Sequence, residues 1–396
     1  MNYDKLEPVL MAAVKRHHAA AVALCKDLYE HPELPEEEFR SSKKVVELLR
    51  GAGYEVEYPY LDIPTSFRGV LGDGGKPHVT IMVEYDALPG IGHGCGHNAH
   101  CAMAVLAALA LADIRDQFPG TLYVIGTPAE EGAGAKVPLT DRGAFDDMDL
   151  AVMNHSWSGG RCMADMSLLG LTCYIIEFNG LSAHAVAGPW EGHSALAAAR
   201  KFMDLIDARR ECFTPDIHVN SIITDGGQAP NILPDKAVIR LEYRADSKGK
   251  MEKMDVAVRK CAEAAAMALE CTVSFATAFD GFDDMVRVPV LEDAATEFLA
   301  QLGYECDPVS APNGSSDVGN VSYRCPTIQA LMSISDTFYA LHTKEFRDET
   351  IKPRASEGIA AGASLIASMA YRTFMDDEFR SAVRESFREQ LEKKSK

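Results

Sequence analysis

Two rhythms of apolar and polar positions run along this chain. In its first part, short apolar runs alternate with longer stretches of helical spacing. Residues 6–28 and 41–51 read as amphipathic helices, the second closed by Gly51. Residues 78–84, 121–127 and 149–154 are apolar and β-prone, and each runs into a polar turn, so they read as strands. Between the first two, the alanine- and leucine-rich stretch 98–114 reads as a buried helix. Such alternation predicts an α/β sheet with helices on both faces. Ligands of these sheets sit beyond the carboxyl ends of the strands.

The rhythm changes at residue 171. Strands are expected at 171–178, 218–223, 237–245 and 272–278, and helices at 194–208 and 251–269. The order is β-α-β-β-α-β, the signature of a split βαβ, ferredoxin-like unit. It predicts an inserted α+β domain over 171–285, with the first domain assembled from 1–170 and 286–396. The chain then returns to a helix (289–302), a Gly/Ser/Asn/Asp loop (313–320), a strand (327–333) and a helix (356–371). Residues 376–396 read as a charged surface helix.

A length of 396 residues suits two or three domains at roughly 150 residues each. The net charge is −19, from 39 Lys and Arg against 58 Asp and Glu. A field of that sign repels phosphate backbones and anionic lipid, which argues against nucleic-acid and membrane-surface partners. No run approaches the ~18 apolar residues of a membrane span. Lys15, Arg16, His17 and His18 interrupt the apolar stretch near the N-terminus, so it does not read as a signal peptide. The ten cysteines form no CxxC pair and read as reduced thiols, which implies a cytoplasmic setting.

Candidate chemistry gathers at the expected strand ends. Gly94-Cys95-Gly96-His97-Asn98-Ala99-His100 is a glycine-rich turn that opens a helix. Thiolate and imidazole are good ligands for borderline-soft divalent metals, and the glycines let the backbone bend until Cys95 and His97 converge. Alone, the pair reads equally as a buried thiol beside a helix-capping histidine. Glu130-Glu131 sits in a loop with Pro128, Gly132 and Gly134. A bent loop can bring both carboxylates to one cavity, one to hold metal and one to take a proton from water. Two solvated loop acids are the plainer reading. His155 ends one strand and His342 lies after another; either alone reads as satisfied core. Asp86 is placed to orient a ligand histidine. Jointly these seven residues fall at or beyond the strand ends of one sheet, which favours a metal site.

The inserted domain offers His184 in Ser182-Ala183-His184-Ala185, Asn231 in Gly226-Gly227-Gln228-Ala229-Pro230-Asn231, and Arg244. Spacing alone does not separate substrate contact from turn chemistry and surface charge. Gly132-Ala133-Gly134 lacks GxGxxG spacing, and Gly314-Ser315-Ser316-Asp317 is not a GxSxG elbow. His17, His18, His78, His193 and His218 read as structural or exposed.

These motifs, joined in order by His31-Pro32-Glu33-Leu34, Asp86-Ala87-Leu88-Pro89, Asn231-Ile232-Leu233-Pro234 and His342-Thr343, span nearly the whole chain. Together they resemble peptidase family M20, the metallopeptidases and amidohydrolases that include aminoacylases and carboxypeptidase G. The Cys-Gly-His-Asn form is similar to its subfamily D, of N-acyl-amino-acid amidohydrolases and aminobenzoyl-glutamate hydrolase-like proteins. Many members have a His-x-Asp pair where this chain has Glu84-Tyr85-Asp86, and a bridging aspartate where it has Cys95.

The resemblance implies an α/β/α metallopeptidase-like catalytic domain with the inserted domain serving as lid and dimerisation surface. It implies two divalent metal ions per protomer, Zn2+ or Mn2+, with Cys95 bridging them and His97, Glu131, His155 and His342 completing the ligands. Glu130 would be general base and acid, and Asp86 would orient a ligand. His184 and Asn231 would contact substrate, His184 often across a homodimer, and Arg244 would bind a substrate carboxylate. The expected activity is hydrolysis of the amide bond in a small N-acyl amino acid or dipeptide by metal-activated water. Two other readings compete: an aminohydrolase acting on an unusual C–N bond such as an aromatic amine, and a non-enzymatic binding protein on this fold. Retention of Glu130 with the whole ligand set argues against the latter.

Overall fold

The computed structural model describes residues 7–312 and 314–394; Leu6, Asn313, Ser395 and Lys396, which the expected segments include, lie outside them. The described chain divides into two compact units, one of residues 7–167 with 285–393, the other of residues 168–284 with Lys394 at the very end of the last helix. The first unit begins with α1 (Glu7–Glu30), α2 (Phe39–Gly51), β1 (Glu55–Glu57), β2 (Arg68–Leu71), β3 (His78–Val83) and α3 (His97–Asp113). It continues through β4 (Thr121–Gly126), α4 (Lys136–Asp141), β5 (Leu150–Trp157) and β6 (Cys162–Met163). The second unit holds β7 (Gly170–Asn179), α5 (Ala195–Arg209), β8 (His218–Asp225), β9 (Lys236–Ala245), α6 (Lys248–Ala268) and β10 (Thr272–Thr277). The first resumes with α7 (Pro289–Gln301), β11 (Cys306–Asp307), α8 (Val318–Ser322), β12 (Thr327–Ser333), α9 (Lys344–Glu349), α10 (Pro353–Met375) and α11 (Asp377–Lys394).

The sheet of the first unit runs β1-β2-β4-β3-β5-β12-β6-β11. Its centre, β4-β3-β5-β12, is parallel. Parallel strands are covered on both faces, which is why these four are apolar almost throughout. α3 packs against α1, α10, β3 and β5, and its residues from His97 to Leu111 are all buried. Its alanines let the neighbouring helices approach closely, so it carries no polar face.

Three expectations shift. β5 extends to Trp157, paired residue for residue with β12, so His155 lies two residues inside the strand rather than at its end. The loop expected over 313–320 gives way to α8 at Val318. α11 is not a purely surface helix: Phe379, Val383 and Phe387 recur every four residues and are buried.

The second unit is a four-stranded antiparallel sheet of order β10-β7-β9-β8. α5 and α6 pack on it over a core that includes Ile176, Phe178, Phe202, Ile239 and Val258. The strand order and the β-α-β-β-α-β sequence are those of a ferredoxin-like fold. Among the described residues, no helix is long and apolar enough to cross a membrane.

Candidate metal centre

The centre forms where the parallel strands of the first unit end. Gly96 caps α3 at φ +85°, and a Cβ there would lie 2.7 Å from the Ser156 Cβ. Only glycine lets the start of α3 approach β5 this closely. The Ser156 hydroxyl donates to the Gly96 carbonyl (3.0 Å), and Cys95 Sγ comes to 3.4 Å from His155 Nε2.

After β4, Ala129 adopts φ +58°. Its N–H donates to the buried Glu38 carboxylate (2.8 Å), which also accepts from the Thr65 hydroxyl (2.9 Å). The turn carries both following side chains inward: Glu130 Oε2 and Glu131 Oε1 lie 3.8 and 3.9 Å from His97 Nε2. His342 is also left-handed, at φ +64°, and its N–H donates to the Gly94 carbonyl (2.8 Å). Its Nε2 lies 3.2 Å from Glu131 Oε1. Non-glycine residues rarely hold positive φ, and such strain concentrates at functional sites.

Asp86 ties these parts together. One oxygen accepts from His97 Nδ1 (2.9 Å), the other from the Glu131 N–H (2.9 Å). The His31-Pro32-Glu33-Leu34 motif has a structural use here. The Glu33 carbonyl accepts the Ala87 N–H (2.9 Å), while its carboxylate caps the start of α2 through Arg40 and Ser41.

The hydrogen bonds fix which ring nitrogens are free. His97 gives its Nδ1 proton to Asp86, and His155 gives its Nδ1 proton to the Ser156 carbonyl (2.9 Å). Each therefore turns an Nε2 lone pair toward the centre. His97 Nε2 is buried without a hydrogen-bond partner, and the buried Glu131 Oε1 faces it at 3.9 Å while meeting the His342 ring. An unpaired buried nitrogen is rare, and a cation beside it would satisfy it. The convergent donors are sulfur from Cys95, nitrogen from His97, His155 and His342, and oxygen from Glu131. That set fits borderline-soft divalent ions. All five sequence-derived ligand candidates, with Glu130 and Asp86, are thus brought together.

Two other groupings do not compete. His100 accepts the Ser156 N–H at Nδ1 (3.2 Å) and gives its Nε2 proton to Glu84 (2.9 Å), so neither nitrogen is free. Glu84, Glu130 and Asp317 also cluster, but the Lys136 ammonium already lies between Glu84 (2.5 Å) and Asp317 (2.6 Å). A divalent ion there would face a like charge. His100, Lys136, Asp317 and Glu38 are the residues that sequence reasoning missed. Only His100 had a signal, three positions after His97 on one helical face.

The electrostatics split the two loop glutamates. Burial pushes the Glu130 carboxyl well up, and the neighbouring Glu84, Asp317 and Glu131 carboxylates add to it. Burial also acts on Glu131, but its contact with His342, together with His97, brings it down to about 2. Burial pushes the Cys95 thiol well up, and Glu131 adds to it; a thiolate there calls for a strong positive charge alongside. His155 is pushed down by burial, toward the neutral form that a ligand needs.

In the second unit, His184 and Asn231 are exposed on two short segments that pair side by side. The Ala185 N–H donates to the Asn231 carbonyl (3.0 Å), and the Leu233 N–H to the Ala183 carbonyl (2.9 Å). His184 Nδ1 accepts the N–H groups of Val186 (3.2 Å) and Ala187 (3.1 Å). Its proton therefore sits on Nε2, pointing outward as a donor. Arg244 lies on β9, where its Nε donates to Glu242 (2.8 Å).

Residues 80–361 match the family model described as Peptidase family M20/M25/M40. The chain is 31% identical to the Xaa-Arg dipeptidase of Mus musculus over 410 residues, covering 98% of this chain and 94% of that one. It is 24% identical over 385 residues to the N-acetylcysteine deacetylase of Bacillus subtilis (strain 168), covering 89% of this chain and 98% of that one. Its fold is similar to a dinuclear metal-binding M20 peptidase, also from Bacillus subtilis, with TM-score 0.69, 21% identity, and coverage of 91% and 99%.

Proposed function

The chain belongs to peptidase family M20/M25/M40 and is a metal-dependent amide hydrolase, and from that premise we propose a substrate, a division of labour and an assembly. The substrate is a small dipeptide or N-acyl amino acid, most favourably a dipeptide with a cationic C-terminal side chain. The Xaa-Arg name of the mouse relative supports this, as does a net charge of −19, which draws cationic substrates in. The observation that carries the catalytic reading is the convergence of buried ligand atoms on one point, with His97 Nε2 left unpaired beside Glu131 Oε1.

Cys95, His97, Glu131, His155 and His342 would hold two divalent ions, with Asp86 orienting His97. Bound there, the ions would lower the pKa of water and polarise the amide carbonyl. Thiolate and imidazole ligands favour zinc, with manganese second. Glu130, ionised once the bound cations offset the carboxylates around it, would take a proton from the attacking water and hand it to the leaving nitrogen. Glu131, held anionic, binds metal; neighbouring carboxylates pushed apart in this way divide acid–base from anionic roles. His184 donates its Nε2 proton to the developing oxyanion. Asn231 and Arg244 hold the substrate, Arg244 at its carboxylate.

The assembly is a homodimer through the second unit. β8 is an edge strand of its sheet, with Ile222 61% and Ile223 38% exposed. An uncovered apolar edge is a template for a second strand. The ten cysteines are all thiols, in keeping with the cytoplasm.

The test is to strip the protein with a chelator, restore zinc or manganese, and offer dipeptides ending in Arg, Gly or Glu beside N-acetyl amino acids. Release of free amino acid, fastest from the Arg dipeptide and absent without metal, is the expected result. Release of ammonia instead would favour the aminohydrolase reading, and equal turnover of Arg and Glu dipeptides would remove the charge argument.

A further inference from the structure

Lys136 is fully buried, an uncommon place for an ammonium. Its Nζ donates to Glu84 Oε1 (2.5 Å) and Asp317 Oδ1 (2.6 Å), and its backbone N–H to Asp317 Oδ2 (3.0 Å). Glu84 Oε2 accepts from His100 Nε2 (2.9 Å), and His100 Nδ1 from the Ser156 N–H (3.2 Å). One hydrogen-bonded chain thus joins the start of α4, the end of β3, the first turn of α3 and the end of β5. Beside these four points lie Glu130 and Glu131, Asp86, Cys95 and His97, and His155.

Resting on the two-metal reading above, we propose that Lys136 is the positioning residue of the metal centre, a built-in cation that sets the spacing of the ligand-bearing segments. The oxygens of Glu84, Glu130 and Asp317 lie within 4.8 Å of one another. Glu84 and Asp317 are fully buried, and two buried carboxylates so close need a positive charge between them. The ammonium supplies it at a fixed place, set by its own chain and by the two contacts with Asp317. Without it the carboxylates separate, Glu84 releases His100, and the ends of α3 and β5 lose their common anchor. The charge itself is what counts, because an uncharged side chain of the same length fills the space without gathering the carboxylates.

The experiment measures zinc binding to chelator-stripped protein by calorimetry, with folding followed by circular dichroism. Lys136→Ala should stay folded and bind zinc about 10–100-fold more weakly, the usual cost of losing support behind metal ligands. n-Propylammonium, which replaces the deleted atoms with their charge, should restore both zinc affinity and kcat, whereas 1-propanol should restore neither. Asp317→Asn, which keeps the shape, should weaken zinc binding by less; it also serves if Lys136→Ala fails to fold. Wild-type zinc affinity in Lys136→Ala or in Asp317→Asn would overturn the proposal, as would equal rescue by propanol. A wild-type protein that binds no zinc or manganese would instead overturn the two-metal reading.

Discussion

The two units treat polar side chains in opposite ways. The first buries them: Glu84, Asp86, His97, His100, Lys136 and Asp317 are each at most 2% exposed. In the second, Asp284 is the one buried polar residue among those described, while His184 and Asn231 lie in the open on paired turns. A buried charge is costly unless partnered, so each one in the first unit is gripped from several sides. The result is a rigid arrangement built around positive charge. Exposed groups are solvated and need no such grip. Metal affinity and folding should therefore depend on the first unit's buried set, and the exposed pair should matter for rate alone.

The largest effect should come from Glu130, a carboxyl at the centre that no lysine or arginine contacts. Glu130→Gln should cut kcat by about 10²–10⁴, the worth of a positioned acid–base group, while both metals and the fold remain. Glu131→Gln should lose metal together with activity. Elemental analysis of the two purified variants decides. Metal lost from the first and kept by the second would reverse the roles, and near-normal turnover in Glu130→Gln would remove the mechanism.

A smaller loss, about 10²–10³ in kcat, is expected for His184→Ala, since one oxyanion donor disappears. Metal content and melting temperature should not move, because His184 is exposed and supports nothing buried. Metal loss in this variant would break the contrast between the units. Mixing inactive His184→Ala with inactive Glu130→Gln sharpens it. Recovered activity means that the histidine serves a second protomer, and none, with mixed dimers present, means that it serves its own.

Much of the centre was legible because glycines and strand ends mark it. Gly94-Cys95-Gly96-His97 announces a backbone that must bend, and Glu130-Glu131 follows an apolar strand into a turn. The long elements were legible too, since the body of α3 and the parallel strands are largely apolar. What stayed hidden depends on distant parts of the chain. A lysine is expected at the surface, and the partner that buries Lys136 lies 181 positions away, in Gly314-Ser315-Ser316-Asp317. That segment invites attention for its serines, yet its aspartate is what matters. β1, β6 and β11 span three, two and two residues, too short to show a period. The left-handed turns at Ala129 and His342 carry no residue type that announces them.

The smallest effect concerns Asp165, a buried carboxyl of the first unit whose hydrogen bonds come from backbone N–H groups. One oxygen accepts the Met166 and Gln329 N–H groups, each at 2.9 Å, and the other is buried without a partner. Burial pushes this carboxyl up to about 8. Below pH ~4 both the folded and unfolded chains hold the proton, so pH has no leverage through this group. Between pH ~4 and 8 the unfolded chain has released the proton while the folded chain keeps it, so stability falls as pH rises. Above that window both are ionised, and the folded chain carries the full penalty of an unpartnered buried charge. Asparagine retains the oxygen that accepts the two N–H groups and cannot ionise. Asp165→Asn should therefore melt higher than wild type, by about 2–4 °C near pH 8, the shift expected for roughly 1 kcal/mol. The gain should shrink as pH falls toward 4. A gain that is flat with pH, or a variant that melts lower at pH 8, would mean that Asp165 is ionised and held by a positive partner. The contrast drawn between the carboxyls at the metal centre and this one would then fail.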